Sequence, residues 1–299
     1  MRDLPANTRS FPDSSHIDPS EIAYLHTLMV ANSITEPTMP VLSRTVRFCL
    51  SNGESPLDSP RHNTFAGWPP MLGLGASWTI IVEVEGDPDP RTGYVLGIDR
   101  IDAAIREHVI PWLLDTWQKP GANTLESLLP GIFSRVDDAL EQPVKAIELQ
   151  PEPMGRFRMD RSDMHHATLI RRFEFSASHR LAIPGLDDAE NAKLYGKCSN
   201  PNGHGHNYEF EVAISVPQGE GNPLNMPEID QIVDEHVVNR FDHKHLNQDL
   251  TDFQDQPASV ENIATRCCEI LKPLIAARGG TLKNITVWET SRTACTIDA

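Results

Sequence analysis

Two stretches of this chain carry one pattern 130 positions apart, and that repetition limits the possible folds more than any other feature. Gly73-Leu74-Gly75-Ala76-Ser77-Trp78 answers Gly203-His204-Gly205-His206-Asn207-Tyr208, and Arg47-Phe48-Cys49-Leu50-Ser51 answers Arg172-Phe173-Glu174-Phe175-Ser176. Trp78, Ile80, Val82 and Val84 stand where Tyr208, Phe210, Val212 and Ile214 do, and apolar residues at every second position define a strand with one buried face. Ile101-Asp102, Ile105 and Glu107-His108-Val109 then answer Ile229-Asp230, Val233 and Glu235-His236-Val237, with apolar residues three and four apart as an amphipathic helix requires. Pro227 suits the first turn of that helix in the second copy. Leu125-Glu126 and Val260-Glu261 open a second helix in each copy, and Val144-Lys145-Ala146-Ile147 and Leu282-Lys283-Asn284-Ile285 begin a closing strand. The chain is therefore expected to be α+β, two tandem copies of one unit. The boundaries expected are an extension at 1–40, a first unit at 41–160 and a second at 161–299. The extension is rich in Pro, Ser, Asp and Asn, is expected to be partly disordered, and has one helical stretch from Pro19 to Ala31.

Charge and cysteine usage narrow the partners and the compartment. With 42 acidic against 26 basic residues the net charge is -16, which excludes nucleic acid or an anionic membrane as a general partner. Any polyanionic ligand must be met by local basic residues. Five cysteines at irregular spacing make no disulfide framework and suit a reducing compartment. No run is long enough for a membrane span, and Met1-Arg2-Asp3-Leu4-Pro5 lacks the apolar stretch of a signal peptide, so a cytoplasmic protein is expected.

The chemistry concentrates in Lys197 to Tyr208. His204 and His206 are two apart, which on a strand puts both rings on one face, in line with the apolar row that follows. His179 ends another alternating run, Phe173, Phe175, Ala177, His179, and so reaches the edge of a neighbouring strand in the same way. Three imidazoles suit zinc, which binds histidine nitrogen at roughly 2.0–2.1 Å. Cys198, just upstream, is either a fourth ligand closing a structural site or a thiol whose pKa the metal and histidines lower toward that of a proton-abstracting base. Asp242 is placed to orient His243 as carboxylates orient imidazoles in relay sites; the same residues also fit a solvated loop. Glu289, beyond the apolar Ile285 and Val287, can accept two parallel hydrogen bonds from a planar ligand.

Five segments, in order, resemble the family of 6-pyruvoyltetrahydropterin and 6-carboxytetrahydropterin synthases: Phe175-Ser176-Ala177-Ser178-His179-Arg180-Leu181, Gly196 to Tyr208, Asp242-His243-Lys244, Ser259-Val260-Glu261-Asn262 and Trp288-Glu289-Thr290. The resemblance covers about residue 169 to the C-terminus. It implies the T-fold, an antiparallel sheet with two helices packed on one face. It implies a zinc-dependent lyase acting on 7,8-dihydroneopterin triphosphate, with His179, His204 and His206 on the metal and Cys198, Asp242 and His243 as the catalytic set. Glu289 becomes the pterin anchor, with Ser259 and Glu261 lining the same pocket, although Glu261 also suits a helix start. The Cys-Ser-Asn-Pro-Asn-Gly-His-Gly-His spacing favours the pyruvoyl product. The carboxy product of the queuosine and deazapurine pathway, and a zinc-containing pterin-binding protein without turnover, are the alternatives. Arg180, Lys193, Lys197 and Lys244 are the candidates for a basic rim around the triphosphate.

The first copy lacks this chemistry. Leu74 and Ala76 replace His204 and His206, Glu54 falls opposite His179, Trp68 opposite Cys198, Leu114-Asp115 opposite Asp242-His243, and Pro151 opposite Glu289. It is expected to be a non-catalytic T-fold unit that substitutes for a neighbouring subunit, with Trp68, Leu74 and Ala76 filling its vestigial pocket. Units of this family associate into rings, so a homo-oligomer is expected, a trimer of two-unit chains.

Overall fold

The alternating runs become strands with one face inward. In β1 (Val41–Ser51) Val46, Phe48 and Leu50 are buried, and in β2 (Gly75–Glu85) Ile80, Val82 and Val84 are. β5 (Asp163–His179) turns in Leu169, Phe173, Phe175 and His179, and β6 (His204–Pro217) turns in Tyr208, Phe210, Val212, Ile214 and Val216. The computed structural model describes residues 39–51, 67–71, 73–119, 124–219 and 224–299. The helical stretch Pro19–Ala31, the expected disorder of the extension up to residue 38 and the pairing of Glu54 with His179 lie outside the described residues. Met1–Pro40 and Val41–Ala299 are separate units, and the fold described below is that of the second.

Among the described residues nine strands form one sheet. β3 (Val144–Glu152), β4 (Gly155–Asp160), β8 (Thr281–Thr290) and β9 (Thr293–Asp298) complete an antiparallel order β1-β2-β3-β4-β5-β6-β8-β9, and the two-residue β7 (Lys244–His245) pairs in parallel with β5. The sheet runs straight through the boundary between the two copies. Arg161 and Ser162 form the tight connection from β4 to β5, and Phe157 and Met159 carry the buried row across it. Helices from both copies pack on the buried face and share one continuous apolar core with it. In the first copy these are Ile98–Ala104, Ile110–Gln118 and Leu125–Ala139. In the second they are Met226–Val233, Asn239–Phe241 and Val260–Ala276.

Two local irregularities recur in both copies, each within one residue of the matching position. The first long helix of each is interrupted by one π-helical turn, Ile105–Val109 in one and Asp234–Val238 in the other. The ladder register shifts between Glu83 and Val84 where β2 meets β3, and between Ala213 and Ile214 where β6 meets β8, the offset of 130 that also relates Gly73 to Gly203.

The other face of the sheet carries charge. Arg158 is bidentate to Glu83 at 3.0 and 2.8 Å, and Glu211 accepts from Arg156 at 2.6 Å and from Arg172 at 3.2 Å. These pairs are partly buried and still reached by water, so their Coulomb gain is largely offset by desolvation and they align strands more than they stabilise them. No helix among the described residues is long and apolar enough to cross a membrane.

Candidate active site

Strand register brings the three histidines together. β5 and β6 pair with His179 opposite His204 and Ala177 opposite His206, so the ends of two core-facing rows meet at one point of the sheet. Glu289 arrives from β8 on the parity of the buried Ile285 and Val287. One ligand atom from each of His179, His204, His206 and Glu289 lies within 4.8 Å of all the others. The Nε2 atoms of His179 and His204 are 3.0 Å apart, and the Glu289 Oε1 oxygen is 3.3 Å from His179 Nε2 and 3.5 Å from His206 Nε2.

The donor set fits a metal ion. Tetrahedral bonds of about 2.0–2.1 Å to nitrogen place ligand atoms roughly 3.3 Å apart, close to the spacing found. His206 Nε2 is buried without a hydrogen-bond partner among the described residues, which is costly unless something else occupies its lone pair. His179 is oriented from behind: Nδ1–H donates to the Ala258 carbonyl at 2.6 Å, with the Tyr208 hydroxyl oxygen 3.2 Å away, and this leaves Nε2 unprotonated and aimed at the cluster. Burial is the main cause that pushes the His179 pKa down, to about 4, with His204 and His206 adding to it. His204 is shifted down in the same sense by desolvation and by His206. Both are therefore neutral near pH 7, the state a metal ligand needs.

Asp242 and His243 form a second constellation. Asp242 Oδ1 accepts from the Ser176 backbone N–H at 2.8 Å, Oδ2 faces His243 Nδ1 at 2.6 Å, and the His243 N–H donates to the Ser176 carbonyl at 2.6 Å. The Ser176 amide, then the His243 contact, hold the Asp242 carboxyl below its ordinary pKa. His243 has φ 56, left-handed backbone that a non-glycine residue adopts at a cost, and its side chain is 83% exposed. The carboxylate thus sits against the imidazole of its neighbour in sequence. Cys198 sits half-buried in a short helical turn, Gly196–Ser199, whose carbonyl at Cys198 accepts from Leu181 N–H. Among the described residues its thiol makes no hydrogen bond to Asp242, His243 or the metal cluster.

The remaining expected residues divide differently. Ser259 caps the helix Val260–Ala276, its Oγ accepting from the Asn262 N–H at 3.4 Å, and Glu261 is exposed in the first turn. The residue before that cap, Ala258, supplies the carbonyl that holds His179, a link invisible in sequence because a backbone oxygen has no residue signature. Arg180 gives its guanidinium to the Ser199 carbonyl at 2.8 Å and to Asp188 at 2.5 Å, so it braces this loop. Lys193, Lys197 and Lys244 are exposed. A cavity of about 480 Å³ lies beside the cluster, lined by Ser176, Ser178, His206, Asn207, His243 and His245 among others. In the first copy Leu74 is 88% exposed, so it does not fill a pocket in the single chain. An apolar side chain there is free to contact something else.

The fold and this cluster define an α+β protein with a candidate metal centre of three imidazoles and one carboxylate at the end of an antiparallel sheet. Residues 168–299 match the family model described as 6-pyruvoyl tetrahydropterin synthase. The human 6-pyruvoyl tetrahydrobiopterin synthase is 38% identical over 126 residues, 42% of this chain and 86% of that protein. The Drosophila melanogaster protein of the same name is 43% identical over 100 residues, 33% of this chain and 60% of the relative. The solved Caenorhabditis elegans 6-pyruvoyl tetrahydropterin synthase has 32% identity over 45% of this chain and 96% of that one, at a TM-score of 0.42. The chain belongs to the 6-pyruvoyl tetrahydropterin synthase family, whose named relatives are lyases.

Proposed function

We propose that the chain is a zinc-dependent lyase that converts 7,8-dihydroneopterin triphosphate to 6-pyruvoyltetrahydropterin and releases triphosphate. The observation that carries this reading is the convergence of His179, His204 and His206 beside a cavity that is also lined by His243, the partner of Asp242. His179, His204 and His206 would hold the zinc, and a bound zinc supplies Lewis-acid polarisation of the substrate's side-chain oxygen. The protein's own groups move protons. Cys198 takes a proton from side-chain carbon as its thiolate, and His243, oriented by Asp242, exchanges protons with the side-chain oxygens. Triphosphate departs with the electron pair of its C–O bond, and the remaining steps are internal hydrogen shifts that need no external oxidant. Glu289 receives the amino group and ring N–H of the pterin in a bidentate hydrogen bond. Ser259 and Glu261, which start their helix, are the further residues proposed to receive the pterin.

Glu289 has a second reading, favoured by its contacts of 3.3 and 3.5 Å with two of the imidazoles. As a fourth ligand it would close the site and leave the pterin without its anchor. The first reading keeps an open coordination position, which catalysis requires.

Among the described residues the Cys198 thiol makes no hydrogen bond to Asp242 or His243, which supports an assembly in which the pocket is completed by another copy, and a trimer of two-unit chains is the form we favour. In that assembly 41–160 is a non-catalytic unit standing where a neighbouring subunit would. Incubation of the zinc-loaded protein with dihydroneopterin triphosphate and mass analysis of the product tests the function. 6-Pyruvoyltetrahydropterin supports it; a 6-carboxy product or unchanged substrate rejects it.

A further inference from the structure

We propose that His245 is a substrate-binding residue of this site, its Nδ1 hydrogen-bonding a polar group on the phosphorylated side chain of the substrate. The proposal rests on the functional reading above and adds a residue to it.

His245 is held firmly with one nitrogen idle. As part of β7 it pairs with Ser178 of β5, and its N–H donates to Asp249 Oδ2 at 2.7 Å. One edge of the ring is packed: Nε2 lies 3.4 Å from Gln248 Nε2, and a Cβ built on Gly203 would come within 2.9 Å of it. Gly203 has φ +70, so that position requires glycine twice, for its backbone and for the room it leaves the imidazole. Nδ1, by contrast, is buried and has no hydrogen-bond partner among the described residues. A buried nitrogen without a partner is destabilising, and a site that fixes its ring so closely implies a partner that arrives with the ligand.

The position of the ring says which part of the ligand it meets. His245 lines the cavity that His206 and His243 also line, and it lines a second cavity of about 380 Å³ with Arg180, Asn247, Gln248 and Gln254. Among the described residues no Asp or Glu lines that second cavity, although the chain carries 42 acidic residues. The Arg180 guanidinium is turned to Ser199 and Asp188, so the donors offered to a ligand are mainly side-chain amides. An extended anionic tail leaving the reacting carbons can therefore cross His245 into a space without carboxylates.

The test uses full-length, zinc-loaded Cys198→Ala, which keeps the substrate intact, and measures the dissociation constant of dihydroneopterin triphosphate by quenching of pterin fluorescence. Adding His245→Leu, which fills the volume without a hydrogen-bonding atom, is expected to weaken binding roughly tenfold, the loss of one buried hydrogen bond. Adding His245→Asn, whose amide can reach the place of Nδ1, is expected to restore most of it. Zinc content should be unchanged in both, and the Tm of the ligand-free Leu variant should fall only slightly, because the ring loses just the long 3.4 Å contact of Nε2 with Gln248 while Nδ1 has no partner there. Equal binding by the Leu variant, or a strongly lowered Tm with no rescue by Asn, overturns the role of His245. If the Cys198→Ala parent itself does not bind the substrate, the functional reading falls and this proposal with it.

Discussion

His179 and His204 are direct partners across the β5–β6 ladder, and their Nε2 atoms stand 3.0 Å apart. Two ring nitrogens so placed share one proton or one metal ion. With Nδ1 of His179 already committed to Ala258, its Nε2 offers a lone pair, which the proposed metal ion would share with His204 in place of a proton.

Metal content separates the histidines from Glu289. His204→Ala is expected to lose its zinc, to lose turnover by at least about a hundredfold, and to lose the rise in Tm that zinc gives the parent. Glu289→Gln should keep zinc while its substrate KM rises. Elemental analysis of both variants decides the matter: a zinc-free Gln variant would make Glu289 a ligand and remove it from pterin recognition.

Cys198→Ala should retain zinc and lose about 10²–10⁴ in kcat, the range for removing a general base. Asp242→Asn should lower kcat with little change in KM, because the Asn amide no longer fixes the His243 tautomer. Steady-state kinetics beside zinc analysis reads both, and zinc loss in the Cys variant would point to the closed structural site instead.

Acid should destabilise the zinc-free protein through His179. Its folded pKa of about 4 lies below its ordinary 6.5. Above pH 6.5 both folded and unfolded states are neutral and the stability is fully present; as the pH falls toward 4 the unfolded chain takes up a proton that the folded one refuses. The loss over that window is about 3 kcal/mol. Thermal melts of the zinc-free protein from pH 7.5 to 4.5 measure it, and His179→Gln should flatten the slope; an equal slope in that variant would falsify the assignment.

Asp252 tests stability away from the chemistry. Its side chain is fully buried and accepts from Arg240 at 2.6 Å and from Arg266 at 2.5 Å; burial pushes its pKa up, and these two hydrogen bonds more than reverse the shift. Asp252→Asn should cost about 2–3 kcal/mol by taking the shared anion from Arg240 and Arg266, less than a wholly buried triad because both arginines are partly exposed and Arg266 keeps Glu269. Denaturant unfolding should show the loss while zinc binding stays intact.

β1 and β9 end the sheet with edges that no strand among the described residues covers, and such edges invite pairing with another copy. Light scattering is expected to give three times the chain mass. A single-chain mass, together with an active fragment 161–299, would show the first copy to be dispensable.

Much of this was legible because parity is a strict code. The period of two in Phe173 to His179 and in His204 to Val216 put three imidazoles and the core on one face, and the strand register then had only to set 179 against 204. Asp242 beside His243 was readable for a similar reason, since neighbours in sequence share a turn. The rest depended on atoms that sequence does not label: the Ala258 carbonyl behind His179, the Ser176 backbone that seats Asp242, and the rotamer that carries the Glu289 carboxylate to the histidines. β4 was missed as a separate strand because Arg156 to Asp160 alternates over too few residues to stand out between a closing strand and the next opening one. The exposure of Leu74 was missed because substitution of a ligand by an apolar residue was taken to mean burial.

The paired π turns bear on ancestry. One extra residue in a helix rotates everything after it by about 100°, so a chain that acquires such an insertion must adjust the whole following segment to it. Ile105–Val109 and Asp234–Val238 carry that insertion within one residue of matching places, the first in the copy without the clustered histidines and the second in the copy that has them. Its presence in both is what inheritance would leave behind if the insertion came before the duplication and the ligands were lost afterwards. On that view the first copy descends from an enzyme.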